Sequence, residues 1–287
     1  MNNPFSVTVI RDNFRFKMKI SESSDTAFNS FTFEVESGDA SKPCLKLYVR
    51  VPVANNERIV NASSVASLLN IEALLKCVID DINNNYIRKH KFSHELLETV
   101  NHILVTYFPH VKYVELYDAS FMPCNRDLND TLDLLTYSIA LYGKTWYEIK
   151  LGAYPKNPII RNLYKQQIDR YTSEDFKQSL NVDDFLFKIS ASSNEYARTV
   201  LRERKSEIIN LYETSKTFPI FFKKLRNIIP DNDKCKFFKR WLDDFIHESI
   251  HNLDRNWIYN VHHNNLESNV GGTRLRRTRR RKRARIF

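Results

Sequence analysis

The spacing of hydrophobic and polar residues predicts a strand-rich first part of the chain. Short runs of β-branched and aromatic residues, separated by polar turn residues, are typical of β-strands. The predicted strands cover residues 5–10, 14–20, 30–35 and 44–51. Over residues 63–82 the apolar positions recur every three to four residues, so we predict a helix there.

The next part of the chain alternates between the two kinds of pattern. Helical spacing is present over residues 93–107 and 128–142, and the intervening residues 111–117 alternate as a strand does. This order of elements predicts an α+β or α/β domain over residues 1–157, in which helices cover a mixed sheet.

The chain after residue 172 is predicted to be wholly helical. Thr172-Ser-Glu-Asp is a capping signal in which a side-chain oxygen accepts from free amides of the first turn, and Pro219 and Pro230 interrupt the pattern. We expect an all-α domain over residues 172–260 and then a disordered arm over 264–287. The predicted helices cover residues 173–188, 194–213, 217–229 and 233–258.

Positive charge is concentrated in the last fourteen residues of the sequence. The formal net charge of the whole chain is +10. Residues 274–287 contain nine cations and no acid, so residues 1–273 carry a net charge of only +1. The attraction to polyanions therefore lies almost entirely in the arm. The nine cations are Arg274, Arg276, Arg277, Arg279, Arg280, Arg281, Lys282, Arg283 and Arg285.

The composition of this arm predicts that it attaches the protein to DNA or RNA. Its like charges repel and bury nothing, so we expect it to be disordered on its own. The guanidinium group matches phosphate oxygens in shape, which favours nucleic acid as the partner. No aromatic residue stands among the arginines, so base stacking by the arm is not indicated. A nuclear-import signal has the same composition, and that alternative stays open.

The small number of glycines excludes several nucleotide-binding classes. The chain has five glycines, and none lies between Gly38 and Gly143. Loops that surround a phosphate with backbone amides need several closely spaced glycines. A Walker-type hydrolase, a Rossmann dinucleotide site and a kinase glycine loop are therefore not expected.

The sequence predicts an intracellular protein without a membrane span. No apolar stretch approaches the roughly 18–20 residues that a membrane span needs, and Met1-Asn-Asn-Pro lacks the features of a signal peptide. The four cysteines are scattered without a CxxC pair, so we expect free thiols in a reducing compartment. The nucleus, a viral factory and a virion are the locations considered. The cysteines are Cys44, Cys77, Cys124 and Cys235.

His247-Glu248-Ser-Ile-His251 matches the HExxH signature of zinc peptidases. Two histidines four residues apart on a helix can share a metal, and Glu248 would then polarise the bound water. The helical arrangement favours another interpretation, because His247 and His251 fall opposite the apolar arc. We therefore expect solvated histidines and no metal, with a metallopeptidase as an alternative. Third ligands would come from His262, His263 or Glu267. The apolar arc consists of Phe238, Trp241, Leu242, Phe245, Ser249 and Leu253.

The segment from Trp146 to Tyr154, WYEIKLGAY, resembles the "LYEKLGF" ending of the fourth helix in the GNAT-type N-acetyltransferase fold. The resemblance covers residues 93–154. It implies acetyl-CoA as cofactor, residues 111–120 as the strand on the acceptor side of the cofactor cleft, and Tyr147 as the general acid for the departing thiolate. The stretch YGKTWYE also resembles a segment in proteins of giant DNA viruses.

The sequence departs from this family where the cofactor pyrophosphate is held. The family has an Arg/Gln-x-x-Gly-x-Gly/Ala turn before its third helix, whereas this chain has Arg88-Lys-His-Lys-Phe-Ser with no glycine. Without that turn the backbone amides cannot approach the pyrophosphate. The alternative is that Trp146, Tyr147 and Leu151 are core residues and that Gly152 caps their helix.

Together these patterns predict a non-enzymatic binding or structural protein associated with nucleic acid, in a viral particle or a replication compartment. No cofactor is expected. The two enzyme alternatives are acetyl transfer with Tyr147 and zinc-dependent peptide hydrolysis with Glu248.

Overall fold

A nine-stranded sheet, a two-stranded hairpin and eleven helices make up the part of the chain that the structure describes, which confirms the predicted α+β class. The computed structural model describes residues 5–11, 14–24, 28–35, 45–52, 65–71, 80–81, 92–118, 120–124 and 131–261. The strands are β1 (Phe5–Arg11), β2 (Phe14–Ser24), β3 (Phe28–Val35), β4 (Leu45–Pro52), β5 (Val65–Ile71), β6 (Asp80–Asp81), β7 (Tyr113–Tyr117), β8 (Phe121–Pro123), β9 (Thr131–Asp133), β10 (Tyr154–Pro155) and β11 (Asn256–Asn260). The helices are α1 (Phe92–Tyr107), α2 (Leu134–Tyr142), α3 (Trp146–Leu151), α4 (Pro158–Tyr171), α5 (Glu174–Gln178), α6 (Val182–Ser192), α7 (Glu195–Glu203), α8 (Lys205–Glu213), α9 (Phe218–Ile228), α10 (Lys234–Phe238) and α11 (Trp241–Ser249).

The large sheet has the order β1-β2-β3-β4-β5-β7-β11-β10, with β6 paired to β2. Among its described pairings only β5 with β7 is parallel, with Val65 opposite Tyr113 and Leu68 opposite Leu116. Helix α1 lies between these two strands in the chain. A parallel pair requires a crossover of this kind, because the chain must return to the same end of the sheet before the second strand begins.

The prediction of a helix over residues 63–82 is wrong. Val65–Ile71 forms β5, which pairs with β4 on one edge and with β7 on the other. Asp80–Asp81 forms β6 against β2. An interior strand has a nearly continuous apolar sequence, and such a sequence also fits one face of a helix. The spacing of apolar residues alone could not distinguish an interior strand from a helix.

The prediction of a single helix over residues 233–258 is also wrong. The helical part ends at Ser249, and Asn256–Asn260 then forms β11 between β7 and β10. Residues assigned by sequence to an all-α domain over 172–260 therefore contribute a strand to the large sheet. The helices α4 to α11 lie between β10 and β11, which are hydrogen-bonded neighbours. The exact division into domains stays a prediction.

A cluster of buried aromatic rings packs the inserted helices together. The ring centroid of Phe185 on α6 lies 5.9 Å from that of Phe218 on α9 and 5.4 Å from that of Phe245 on α11. Phe185 and Phe218 have no exposed surface. Burial of each such side chain contributes about 1.5–3 kcal/mol, so this cluster is a main source of stability for the insertion. Within the described residues, no helix combines the length and the apolar character of a membrane span.

A disulfide joins Cys124, which follows β8, to Cys235 in α10, so the expectation of free thiols is wrong for these two residues. Their Cα atoms are 5.0 Å apart although 111 residues separate them in the chain. Such a distance in sequence leaves no signature in cysteine spacing, because the packing of α10 beside β9 brings the two residues together. Disulfides persist in oxidising surroundings, so the argument for a reducing compartment loses its support.

Gly143 fixes the end of α2 against the inserted helices. It is the C-cap of α2 at φ 63°, in the left-handed region. A Cβ atom at this position would overlap the methyl carbon of Thr172 and would lie 3.7 Å from Pro219 at the start of α9. Glycine tolerates both the backbone conformation and the close approach. Tyr142, the last residue of α2, is consequently placed next to Lys223 of α9.

Candidate functional site

The basic arm, residues 274–287, lies outside the described residues. The suggested third zinc ligands His262, His263 and Glu267 lie outside them as well. The roles assigned to these residues therefore remain predictions from sequence.

The HExxH residues do not share a helical face in the structure. His247 and Glu248 are exposed on α11, which ends at Ser249, and His251 lies in the turn that follows. The Glu248 carboxylate forms an ion pair with Lys188 at 2.9 Å. The described part of the chain brings no three His, Cys, Asp or Glu side chains together in a metal-binding arrangement. A zinc centre therefore has no geometric support here, and metal analysis of the purified protein would test it directly.

Tyr147 lies on α3, a two-turn helix with well-defined ends. Thr145 caps its start, because the Thr145 hydroxyl accepts from the Glu148 amide at 3.1 Å and the Glu148 carboxylate accepts from the Thr145 amide at 3.2 Å. Gly152 ends the helix at φ 61°, as the sequence predicts. Leu151 is buried and Tyr147 packs against the core. Tyr147 therefore lies on a helix whose two ends are fixed and whose inner side packs against the core.

Asp118 is a buried carboxyl group directly after strand β7. Only 1% of this residue is exposed. Its Oδ1 accepts from the Ser120 amide at 3.0 Å and from the Ser120 hydroxyl, whereas Oδ2 has no hydrogen-bond partner among the described residues. A buried polar atom without a partner is uncommon in folded proteins and calls for an explanation, such as a role in ligand binding. Burial raises the pKa of Asp118.

Arg255 connects Asp118 to the start of α2. Its guanidinium group donates to the backbone carbonyl of Asp118 at 2.9 Å and pairs with the carboxylate of Asp133. The Asp118 amide in turn donates to the Arg255 carbonyl at 2.8 Å. Asp133 is also the N-cap of α2, since its side chain accepts from the Leu135 amide at 2.8 Å. This network fixes the chain immediately after β7, including the backbone of Asp118.

The half-buried Tyr147 lies near the Asp118 carboxyl group, and the buried Tyr259 lies near Tyr147. Burial raises the pKa of Tyr147, and the charge of Asp118 raises it further. Burial also raises the pKa of Tyr259 on β11, whose hydroxyl donates to the side-chain carbonyl of Asn101 on α1 at 3.2 Å. Both phenols therefore stay protonated at neutral pH and can act as hydrogen-bond donors.

The position of these groups matches the usual location of ligand sites in sheets with parallel strands. Ligands bind beyond the carboxyl ends of parallel strands, and Asp118 follows the carboxyl end of β7 in the β5–β7 pair. The phenol of Tyr147 offers a donor, and the Asp118 Oδ2 atom offers an acceptor. This set, Asp118, Tyr147, Tyr259 and Arg255, is the candidate site of the described chain.

Sequence reasoning found only one member of this set. The family resemblance points to Tyr147, whereas no motif in the sequence marks Asp118. Arg255 lies 137 residues from Asp118 in sequence and belongs to no motif. The single local signal was the polar Asp118-Ala-Ser directly after an alternating strand, and that signal is common in proteins.

Replacing Asp118 by Asn should stabilise the protein at neutral pH. The raised pKa means that the folded state keeps this proton to higher pH than the unfolded state does, so wild-type stability falls as the pH rises above 3.8, the ordinary value. Asn keeps the acceptor for Ser120 and cannot ionise. Urea unfolding at several pH values should show a gain in free energy of unfolding that grows with pH. The exposed Asp169→Asn is the matched control, and a gain that does not change with pH would contradict the prediction.

Comparisons of the chain with protein-family models, with curated proteins and with solved structures give no match.

Proposed function

We propose that the protein is a binding or structural protein that is attached to DNA or RNA by its arginine-rich arm. The observation that carries the proposal is the separation of charge along the chain. Residues 274–287 carry nine positive charges, whereas residues 1–273 have a net charge of +1. Attachment to a polyanion therefore depends on a short segment, and the folded part is free to serve another role.

A viral particle is the location that we propose for this attachment. The sequence stretch YGKTWYE resembles a segment in proteins of giant DNA viruses. Disulfides persist in virions but are reduced in the cytosol, so the bond between Cys124 and Cys235 supports a virion over the nucleus or a viral factory. A protein packed with the genome needs strong binding without sequence preference, which a run of arginines supplies.

Retention on immobilised DNA and RNA tests this proposal. The intact chain should bind both at low salt, and a variant that lacks residues 273–287 should lose this binding, because the phosphate contacts are removed. A second variant keeps the full length but has all nine cations of the arm replaced by Gln. It should also lose binding, which would show that the charge of the arm and not its length is required. If the truncated protein binds as well as the intact chain, attachment by the arm is wrong.

Acetyl transfer is the second candidate, and the candidate site favours it by one specific observation. The residue that the family resemblance implies as general acid, Tyr147, lies near the end of a strand that has a parallel neighbour, and burial keeps its phenol protonated. Burial raises the pKa of this phenol, which keeps the proton available but makes the phenol a weaker acid, so its transfer to a departing thiolate is the demanding step. The chain segment before α1 offers the cations Arg88, Lys89 and Lys91 for a pyrophosphate in place of the glycine turn. Acetyl-CoA would supply the acetyl group, and coenzyme A would leave as the thiol.

Calorimetric titration of the intact protein with coenzyme A tests the second candidate. Binding is expected if the site accepts the cofactor, and Tyr147→Phe should retain binding while it loses transfer, because only the proton donor is removed. The absence of any binding heat at millimolar coenzyme A would eliminate acetyl transfer and leave the attachment proposal unaffected.

A further inference from the structure

Residues 214–242 carry a large share of the positive charge outside the arm. This stretch contains eight cations and two acids, a net charge of +6, although residues 1–273 as a whole have a net charge of +1. The other residues of 1–273 are therefore net negative by five charges. No acid lies between Glu213 and Asp231. The eight cations are Lys216, Lys223, Lys224, Arg226, Lys234, Lys236, Lys239 and Arg240.

Helix α9 carries part of this charge on its exposed side, while its other side is packed in the core. One face of the helix is fully buried and packs in the aromatic cluster. The opposite face is exposed at Ile220, Lys223 and Asn227, and the exposed Lys216 lies two residues before the start of the helix. Ile220, Lys223 and Asn227 are separated by three or four residues and so lie along one side of the helix. The buried face consists of Phe218, Phe221, Phe222 and Leu225.

An exposed aromatic ring lies next to Lys223. Tyr142 at the end of α2 is 48% exposed, and the ammonium group of Lys223 lies 5.0 Å from its ring centroid. The close packing at Gly143 holds Tyr142 in this place. We call the surface formed by Tyr142, Lys216, Ile220 and Lys223 the α9 face.

The charges of the α9 face are not neutralised within the described residues. Neither Lys216 nor Lys223 forms an ion pair there. The neighbouring Lys224 differs, because its ammonium group donates to the Thr214 carbonyl at 3.1 Å. Lys223 contacts one aromatic ring and Lys216 is exposed without an ion pair among the described residues. Proteins that bind single strands combine cations, which contact phosphates, with an aromatic ring that stacks on a base.

We propose that the α9 face binds single-stranded nucleic acid. Lys216 and Lys223 contact phosphates, and the Tyr142 ring stacks on a base. The identity of the ligand rests on the proposed attachment to nucleic acid, but the α9 face binds through its own residues. It also adds what the arm lacks, since the arm has no aromatic residue among its arginines.

Substitution of Tyr142 tests the stacking contact. The full-length protein is titrated into a labelled oligothymidylate and into a labelled duplex of the same length, and binding is followed by fluorescence anisotropy. Tyr142→Ala should weaken binding of the single strand about fivefold or more, whereas binding of the duplex, whose bases are already stacked, should change little. Tyr142→Phe should restore single-strand binding, because it keeps the ring.

Substitution of the two lysines tests the phosphate contacts. For single strands the slope of log affinity against log salt falls by about 0.7 for each phosphate contact that is lost. The full-length variant Lys216→Ala/Lys223→Ala should therefore show a slope that is less steep by about 1.4. The matched control is Lys112→Ala/Lys165→Ala, which removes two exposed lysines elsewhere and should leave the slope unchanged.

The possible results separate this proposal from the attachment proposal. If the α9-face variants behave like the control while neutralisation of the arm abolishes binding, the α9 face is not a binding site and the arm is. If the α9-face variants lose single-strand binding and neutralisation of the arm has no effect, the attachment proposal fails and the α9 face stands. Poly-L-glutamate is the second probe. Binding of this polymer with the same dependence on Tyr142 would identify an acidic polypeptide as the partner and overturn the proposal.

Discussion

The affinity of the intact chain for duplex DNA should fall by a factor on the order of 10³–10⁵ between about 50 and 200 mM salt. The reason is the release of condensed counterions when cations neutralise phosphates. If all nine cations of the arm contact phosphates, the slope of log affinity against log salt should be about −8. Residues 1–273, with a net charge of +1, should contribute little to this slope. Fluorescence anisotropy over a salt series measures it.

A graded set of substitutions makes this prediction specific to the arm. Replacement of Arg276, Arg277 and Arg279 by Gln should make the slope less steep by about 2.7, and replacement of all nine cations should remove most of it. The control replaces three exposed lysines outside the arm by Gln and causes the same change in net charge. If both sets change the slope equally, net charge governs binding and attachment by the arm is wrong. The control lysines are Lys112, Lys165 and Lys205.

The features that could be predicted from sequence are those that depend on residues close together in the chain. The four strands β1 to β4 overlap their predicted positions, and helix α1 lies within a residue of its predicted start. Strands β5 and β11 were missed for a physical reason. Each has partners on both edges that lie far away in sequence, so nothing in its own residues separates a strand from a helix.

The candidate site shows the same limit. Asp118 becomes a candidate only because it is buried and one of its oxygens has no partner among the described residues, and neither property can be recognised in the tripeptide Asp118-Ala-Ser. Arg255 reaches the site because β11 pairs with β7, a contact between distant segments. The α9 face contains residues that the sequence reveals and one residue that only the fold brings to this surface. Its lysines are visible in the sequence, whereas the exposed ring of Tyr142 joins them through the close packing at Gly143.

Loss of the disulfide between Cys124 and Cys235 should reduce the free energy of unfolding by about 4–5 kcal/mol. A covalent link between residues 111 positions apart restricts the unfolded chain strongly, and the entropy that is lost there favours the folded state. The double variant Cys124→Ser/Cys235→Ser, unfolded in urea without a reductant, measures the effect. Wild-type protein treated with a reductant is the matched control, because it lacks the bond but keeps both cysteines.

The variant and the reduced wild type should unfold at similar urea concentrations, and the oxidised wild type should be clearly more stable than both. Mass spectrometry of a non-reduced digest should contain the peptide pair that the bond links. If the oxidised wild type and the variant are equally stable, or if that peptide pair is absent, the bond does not form in the protein. In that case the cysteines no longer favour a virion over the nucleus or a viral factory.

Stability should depend on the disulfide, and DNA binding should depend on the arm. A reductant and neutralisation of the arm should therefore each change only one of these two properties. A reductant should lower stability and leave the salt dependence of DNA binding unchanged, because Cys124 and Cys235 are remote in sequence from the cations of residues 274–287. Neutralisation of the arm should abolish binding and leave the urea midpoint unchanged, since the described core consists of residues between Met18 and Val261. A reductant that weakened DNA binding as strongly as neutralisation of the arm would show that attachment requires the intact folded part, and the separation of roles proposed from the charge distribution would then be wrong.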